Sequence, residues 1–158
     1  MTPRVTVAIV EDHALVRDGL RLILQGEPGI EIVGEAADAA EAFALVGRTA
    51  PDVALVDLTL GETDGVPLIR GLGVRYPGTR TVAVTMHRDG ETVRQAFLAG
   101  AAGYVVKGAS GAELITAIRA VARGERYVHS TVAGVMVADS LRWLRHGQRL
   151  SPREREVL

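Results

Sequence analysis

The sequence predicts an α/β domain built on a doubly wound parallel sheet. Two observations carry the prediction. Five short apolar runs are each followed by a segment of helical spacing, the alternation of repeated strand–helix units. The third run, Val53 to Val56, is continuous rather than alternating, as expected of a strand covered on both faces in the middle of a parallel sheet.

Taken in order, Val5–Val10 reads as a buried strand, and Glu11-Asp12-His13 follows it. Leu15, Val16, Leu20, Ile23 and Leu24 keep helical spacing to about Gln25, where Gly26-Glu27-Pro28-Gly29 stops the helix. Ile30–Gly34 is more alternating, which places it nearer an edge. Asp38, with Glu41 three residues on, starts a capped helix through Val46. Pro51 precedes the third strand, which ends at Asp57. A turn-rich loop leads to Gly65, and a weaker helix runs from about Val66 to Arg75, interrupted by Gly71 and Gly73. Thr81–Thr85 is the fourth strand. Asp89 caps a helix containing Val93, Ala96, Phe97 and Leu98. Tyr104–Val106 is the fifth strand, ending at Lys107. Ser110 and Glu113 form a capping box for a helix whose face is Leu114, Ile115, Ile118, Val121 and Ala122. The sequence leaves the strand order open.

From Gly124 the repeat is over. Residues 1–124 are expected to form one domain and 125–149 a linker carrying one helix, Thr131–Arg145. Residues 150–158 are expected to begin a further domain, because Ser151-Pro152-Arg153-Glu154 is a capped helix start about two turns before the last residue, Leu158.

Composition narrows the function. Hydrophobic residues are 47% and charged residues 23%, a soluble globular balance. There is no cysteine, which excludes disulfides and thiolate metal sites. His13, His87, His129 and His146 show no ligand spacing, so no zinc site is expected. No apolar run approaches a membrane span and no signal peptide is present, so the expected location is cytoplasmic. Net charge is −1, with +3 in residues 140–158 and −4 elsewhere. The body is therefore not a nucleic-acid binder on charge grounds, although the tail could belong to one.

In a parallel sheet all strands deliver their carboxyl ends to one edge, where open α/β folds bind ligands. That edge would gather Glu11, Asp12, Asp57, Thr85 and Lys107. Three carboxylates a few ångströms apart repel strongly and need a positive charge among them. An oxygen-rich, sulfur-free site suits Mg²⁺. With such a cation present, Asp57 could attack phosphorus while Thr85 and Lys107 meet the phosphoryl oxygens. The first turn is acidic rather than glycine-rich, which argues against a nucleotide site.

These residues resemble a response-regulator receiver domain. The matching pieces are Glu11-Asp12, Asp57, Asp64-Gly65, Thr85, the Ala99–Tyr104 segment and Lys107, spread over about residues 4–124. The tail Leu150–Leu158 resembles the opening of a LuxR-type helix-turn-helix domain, and together they suggest the NarL/FixJ subfamily. The resemblance implies a flavodoxin-like, five-stranded sheet of order 2-1-3-4-5. It implies that Asp57 accepts a phosphoryl group from a sensor histidine kinase. It also implies Mg²⁺ held by Asp12, Asp57 and the Thr59 backbone carbonyl, with Glu11 acting partly through water. Thr85 and Tyr104 would be a switch pair, and Thr59 and His87 would tune the lifetime of the acyl phosphate. Two departures stand out. Leu60-Gly61 replaces a frequent Met-Pro, and Gly108 follows Lys107 where many receivers have a cis proline, which leaves that peptide's geometry open.

The expected function is thus a phosphorylation-controlled switch rather than an enzyme. It would homodimerise on phosphorylation and bind DNA through a C-terminal domain. A Mg²⁺-dependent phosphatase using Asp57 is the competing reading, weakened because Thr59 stands where haloacid-dehalogenase-like enzymes carry a second Asp. A third reading is a dimerisation module that needs no phosphorylation, weakened by the complete acidic set and Lys107.

Overall fold

A computed structural model describes residues 4–60 and 65–129. The elements are β1 (Val5–Val10), α1 (Ala14–Gln25), β2 (Ile30–Ala36), α2 (Ala39–Thr49), β3 (Val53–Asp57), α3 (Gly65–Arg75), β4 (Arg80–Thr85), α4 (Gly90–Leu98), β5 (Gly103–Val106), α5 (Gly111–Ala122) and β6 (Tyr127–Val128). The sheet runs β2-β1-β3-β4-β5-β6, with every adjacent pair parallel. The expected five-stranded order is present, with β2 at an edge.

The sixth strand is a correction to five. The sheet does not stop with the repeat at Gly124: Tyr127 N–H donates to the Ala102 carbonyl at 3.0 Å and His129 N–H to the Tyr104 carbonyl at 2.9 Å. A two-residue strand has no periodicity to read, so only its partner reveals it.

Alternating side chains on the strands feed two cores. Ala8, Val10, Ala54, Val56 and Ala83 face α2, α3 and α4, where Leu45, Ile69, Leu72, Val93 and Ala96 pack. Val7, Ile9, Val53, Leu55, Val82, Val84 and Val105 face α1 and α5, where Leu24, Leu114, Ile118 and Val121 pack. Small residues on the first face let three helices approach. Both faces of the sheet are thus covered, and the carboxyl edge is left as the open crevice.

The helix starts follow the capping signals. Asp38 accepts from Glu41 N–H, Asp89 from Thr92 N–H, and Ser110 from Glu113 N–H. The Glu113 carboxylate itself pairs with the His129 ring. Two expectations on α1 need adjustment. Leu15 keeps the apolar spacing but is 85% exposed, because it lies in the first turn, at the edge where the strands have ended. Ile23 is also half out of the core, and Leu24 carries the burial. The expected helix over Thr131–Arg145 and the capped start at Ser151 lie outside the described residues.

Candidate functional site: an acidic pocket at the carboxyl edge of the sheet

Three strand ends meet in two ion pairs that share one ammonium. Lys107, just past β5, places its Nζ 2.8 Å from Glu11 Oε1 and 3.2 Å from Asp57 Oδ2. Glu11 follows β1 and Asp57 ends β3, and both are almost fully buried. Glu11 N–H is tied to the Ala36 carbonyl and Lys107 N–H to the Thr85 carbonyl, so backbone bonds to neighbouring strands set these positions. The Lys107–Gly108 peptide is trans, and Gly108 has φ +95°. That left-handed conformation lets the chain turn away directly after the lysine, and it favours glycine.

Asp57 is held from below as well. Thr59 donates to Asp57 Oδ1 through both its N–H and its hydroxyl, each at 3.1 Å. Thr85 is fully buried at the end of β4, and its Oγ1 accepts from His87 N–H at 3.2 Å. Tyr104 is wholly buried, and its OH donates to the His87 carbonyl at 2.8 Å. His87 therefore links Thr85 and Tyr104 through its backbone. Of the sequence-predicted residues, the structure brings Glu11, Asp12, Asp57 and Lys107 into one pocket, with Thr59 and Thr85 at its walls. His87 and Tyr104 reach the pocket only through Thr85, by way of the His87 backbone.

Electrostatics follow from burial. Loss of solvent pushes the Glu11 carboxyl up; the Lys107 ammonium pulls against this, and the nearby Asp57 adds to the rise. Burial works to lower Lys107, but Glu11 and Asp57 outweigh it and hold the ammonium above its ordinary value. One ammonium faces three carboxylates, counting Asp12, so the pocket retains net negative charge. Glu11, Asp12, His13 and Asp57 each offer a ligand atom, all within 4.8 Å of one another. This donor set fits a divalent cation on charge, number and spacing.

His13 is the member that sequence reading missed. Its ring Nδ1 lies 3.2 Å from Asp12 Oδ1 and 3.5 Å from Glu11 Oε2. Spacing to the other histidines carries no sign of this, because its partners are acids and one of them, Asp57, comes from a different strand.

Comparison with known proteins agrees with this geometry. Residues 7–119 match the response regulator receiver domain family. The chain belongs to that family. This receiver domain is 40% identical over 134 residues to the DNA-binding transcriptional activator DevR/DosR of Mycobacterium tuberculosis, covering 85% of this chain and 62% of the activator. It is 33% identical to the transcriptional regulatory protein LiaR of Bacillus subtilis, covering 98% of this chain and 74% of LiaR. A crystal structure of a LuxR-family two-component response regulator from Aurantimonas sp. SI85-9A1 superposes with a TM-score of 0.83 at 36% identity, over 87% of this chain and 99% of that one. The chain thus spans less than two thirds of the DevR/DosR length. It is a receiver, a signalling domain of the kind found in transcriptional response regulators.

Proposed function

We propose that Asp57 is the phosphoacceptor of a two-component switch. The observation that carries this is the Lys107 ammonium shared between Glu11 and Asp57 across three strand ends, which sets a counter-charge beside a buried nucleophilic carboxylate. The Asp57 carboxylate attacks the phosphorus of a kinase phosphohistidine; the new P–O bond forms as the P–N bond breaks, and its electron pair returns to the leaving imidazole. Glu11, Asp12, Asp57 and the Thr59 carbonyl would hold Mg²⁺, which when bound offsets negative charge on the transferring group. Lys107 meets one phosphoryl oxygen and the Thr85 hydroxyl another. Drawing Thr85 toward the phosphoryl group pulls on the His87 backbone, and through it on the Tyr104 hydroxyl, so Thr85 and Tyr104 act as a switch pair. Thr59 and His87, two residues past Asp57 and Thr85, tune the lifetime of the acyl phosphate.

The domain assists its own phosphorylation and dephosphorylation but turns over no other substrate. Thr59 brings a hydroxyl to Asp57 where a phosphatase would need a second acid. Phosphorylation favours a homodimer and DNA binding by a LuxR-type domain of which residues 150–158 are the opening. The names of the DNA-binding relatives and the resemblance of the tail support that output. Among the described residues no helix is long and apolar enough to cross a membrane, and the proposed location is the cytoplasm. Incubation with a small acyl phosphate and Mg²⁺, followed by intact mass, tests the central claim. One added phosphoryl group, lost in Asp57→Ala, is expected; no added mass from any donor overturns it.

A further inference from the structure

His13 occupies a helix start without capping it. It is the N-cap residue of α1, with φ −83° and ψ 113°, yet its side chain makes no hydrogen bond to the helix. Ser, Thr, Asp or Asn is the favoured residue at such a position. The ring turns instead toward the carboxylates of Asp12 and Glu11. Two adjacent ligands of an octahedral ion, each about 2.1 Å from it, stand about 3.0 Å apart. The Nδ1 separations from Asp12 and Glu11, 3.2 and 3.5 Å, are close to that edge length.

The Glu11 carboxylate is divided accordingly. Oε1 faces the Lys107 ammonium at 2.8 Å, whereas Oε2 accepts from His13 N–H at 3.2 Å and lies beside its ring. Lysine and imidazole therefore flank one buried carboxylate from opposite oxygens. The His13 side chain is 67% exposed, so it can shift by a few tenths of an ångström without disturbing either core.

We infer that His13 is a nitrogen ligand that makes this pocket favour a first-row transition divalent cation over Mg²⁺. The inference rests on reading the pocket as a cation site. Carboxylates alone suit a hard ion that keeps its waters. Adding an imidazole raises affinity along the series toward nickel, copper and zinc, and leaves Mg²⁺ nearly indifferent. The consequence is a receiver whose metal occupancy responds to transition-metal availability as well as to Mg²⁺.

Calorimetric titration of the full, tag-free chain with Mg²⁺ and separately with Ni²⁺ tests this. Wild type and His13→Ala are compared, and the heat remaining in Asp12→Asn, from Ni²⁺ on the other histidines, is subtracted. Ni²⁺ is expected to bind wild type more tightly than Mg²⁺. His13→Ala is expected to lose about tenfold or more in Ni²⁺ affinity while Mg²⁺ affinity stays within about threefold. Ni²⁺ affinity unchanged in His13→Ala, or an equal loss for both ions, overturns the role of His13 but leaves the cation site standing. Failure of wild type to bind either ion overturns both.

Discussion

Asp57 is a costly residue for the folded chain. It is buried beside Glu11 and near Asp12, and Lys107 supplies one positive charge to the group. Under the proposed function its presence serves chemistry at the expense of stability, the usual trade at a reactive site. Asp57→Asn keeps the shape and removes a charge. In cation-free buffer it is expected to raise stability by about 0.5–2 kcal/mol, read from urea melts; a drop would mean that the Lys107 pair outweighs the carboxylate repulsion. Tyr104 poses the opposite case, a buried ring whose hydroxyl has one bond, to the His87 carbonyl. Tyr104→Phe is expected to cost about 0.5–1.5 kcal/mol in the same melts, with Asp57 still phosphorylated to the wild-type level. Loss of phosphorylation would put Tyr104 in the pocket itself rather than behind Thr85.

Each element around the pocket depends on a local feature that can be removed singly. The start of α4 is held by Asp89, which accepts from both the N–H and the hydroxyl of Thr92. These bonds hold the Asp89 carboxyl below its ordinary value of 3.8. A lowered acid contributes stability that is present above its unfolded pKa and is lost as pH falls through the folded one. Asp89→Ala is therefore expected to cost about 1 kcal/mol at neutral pH. The gap from wild type should close only below pH 3.8, as chemical melts at several pH values would show. At the start of α3, Gly65 N–H donates to the Leu58 carbonyl at 2.7 Å, and a Cβ there would sit 2.3 Å from the Asp57 carbonyl oxygen. Backbone cannot move aside as a side-chain tip can. Gly65→Ala is expected to destabilise by about 1–3 kcal/mol and to displace the end of β3, slowing phosphorylation of Asp57 in the acyl-phosphate assay.

At the scale of the whole molecule, the sheet of the described residues ends with β6, and this joins the outgoing chain to the site. Val128 is in register with Tyr104, and His129 both bonds the Tyr104 carbonyl and pairs with Glu113 on α5. A chain ended at residue 124 should lose these contacts, and one ended at 129 should keep them. The shorter chain is expected to be less stable by about 1–3 kcal/mol in urea melts, the worth of a few backbone hydrogen bonds and one partly buried pair. Equal stability would show that β6 adds nothing to the sheet. This arrangement also means that a movement of Tyr104 acts on the strand through which the chain continues.

Much of this was readable from residue order because the relevant physics is local. Asp38, Asp89 and Ser110 announce their helices through bonds that span three residues, and the runs before Glu11, Asp57 and Lys107 announce strands through their apolarity. Once five strands are parallel, their last residues must share an edge, which is how Glu11, Asp57, Thr85 and Lys107 could be grouped before any coordinates. Other features depend on contacts between segments far apart in the chain. Leu15 has apolar spacing but no strand beneath it, and Tyr127–Val128 is a strand only because β5 offers an open edge. His13 is one more polar residue in a turn until folding sets Asp57 beside it. Periodicity and capping record what a residue does with its near neighbours; which distant carboxylate an imidazole meets is decided only when the sheet is assembled.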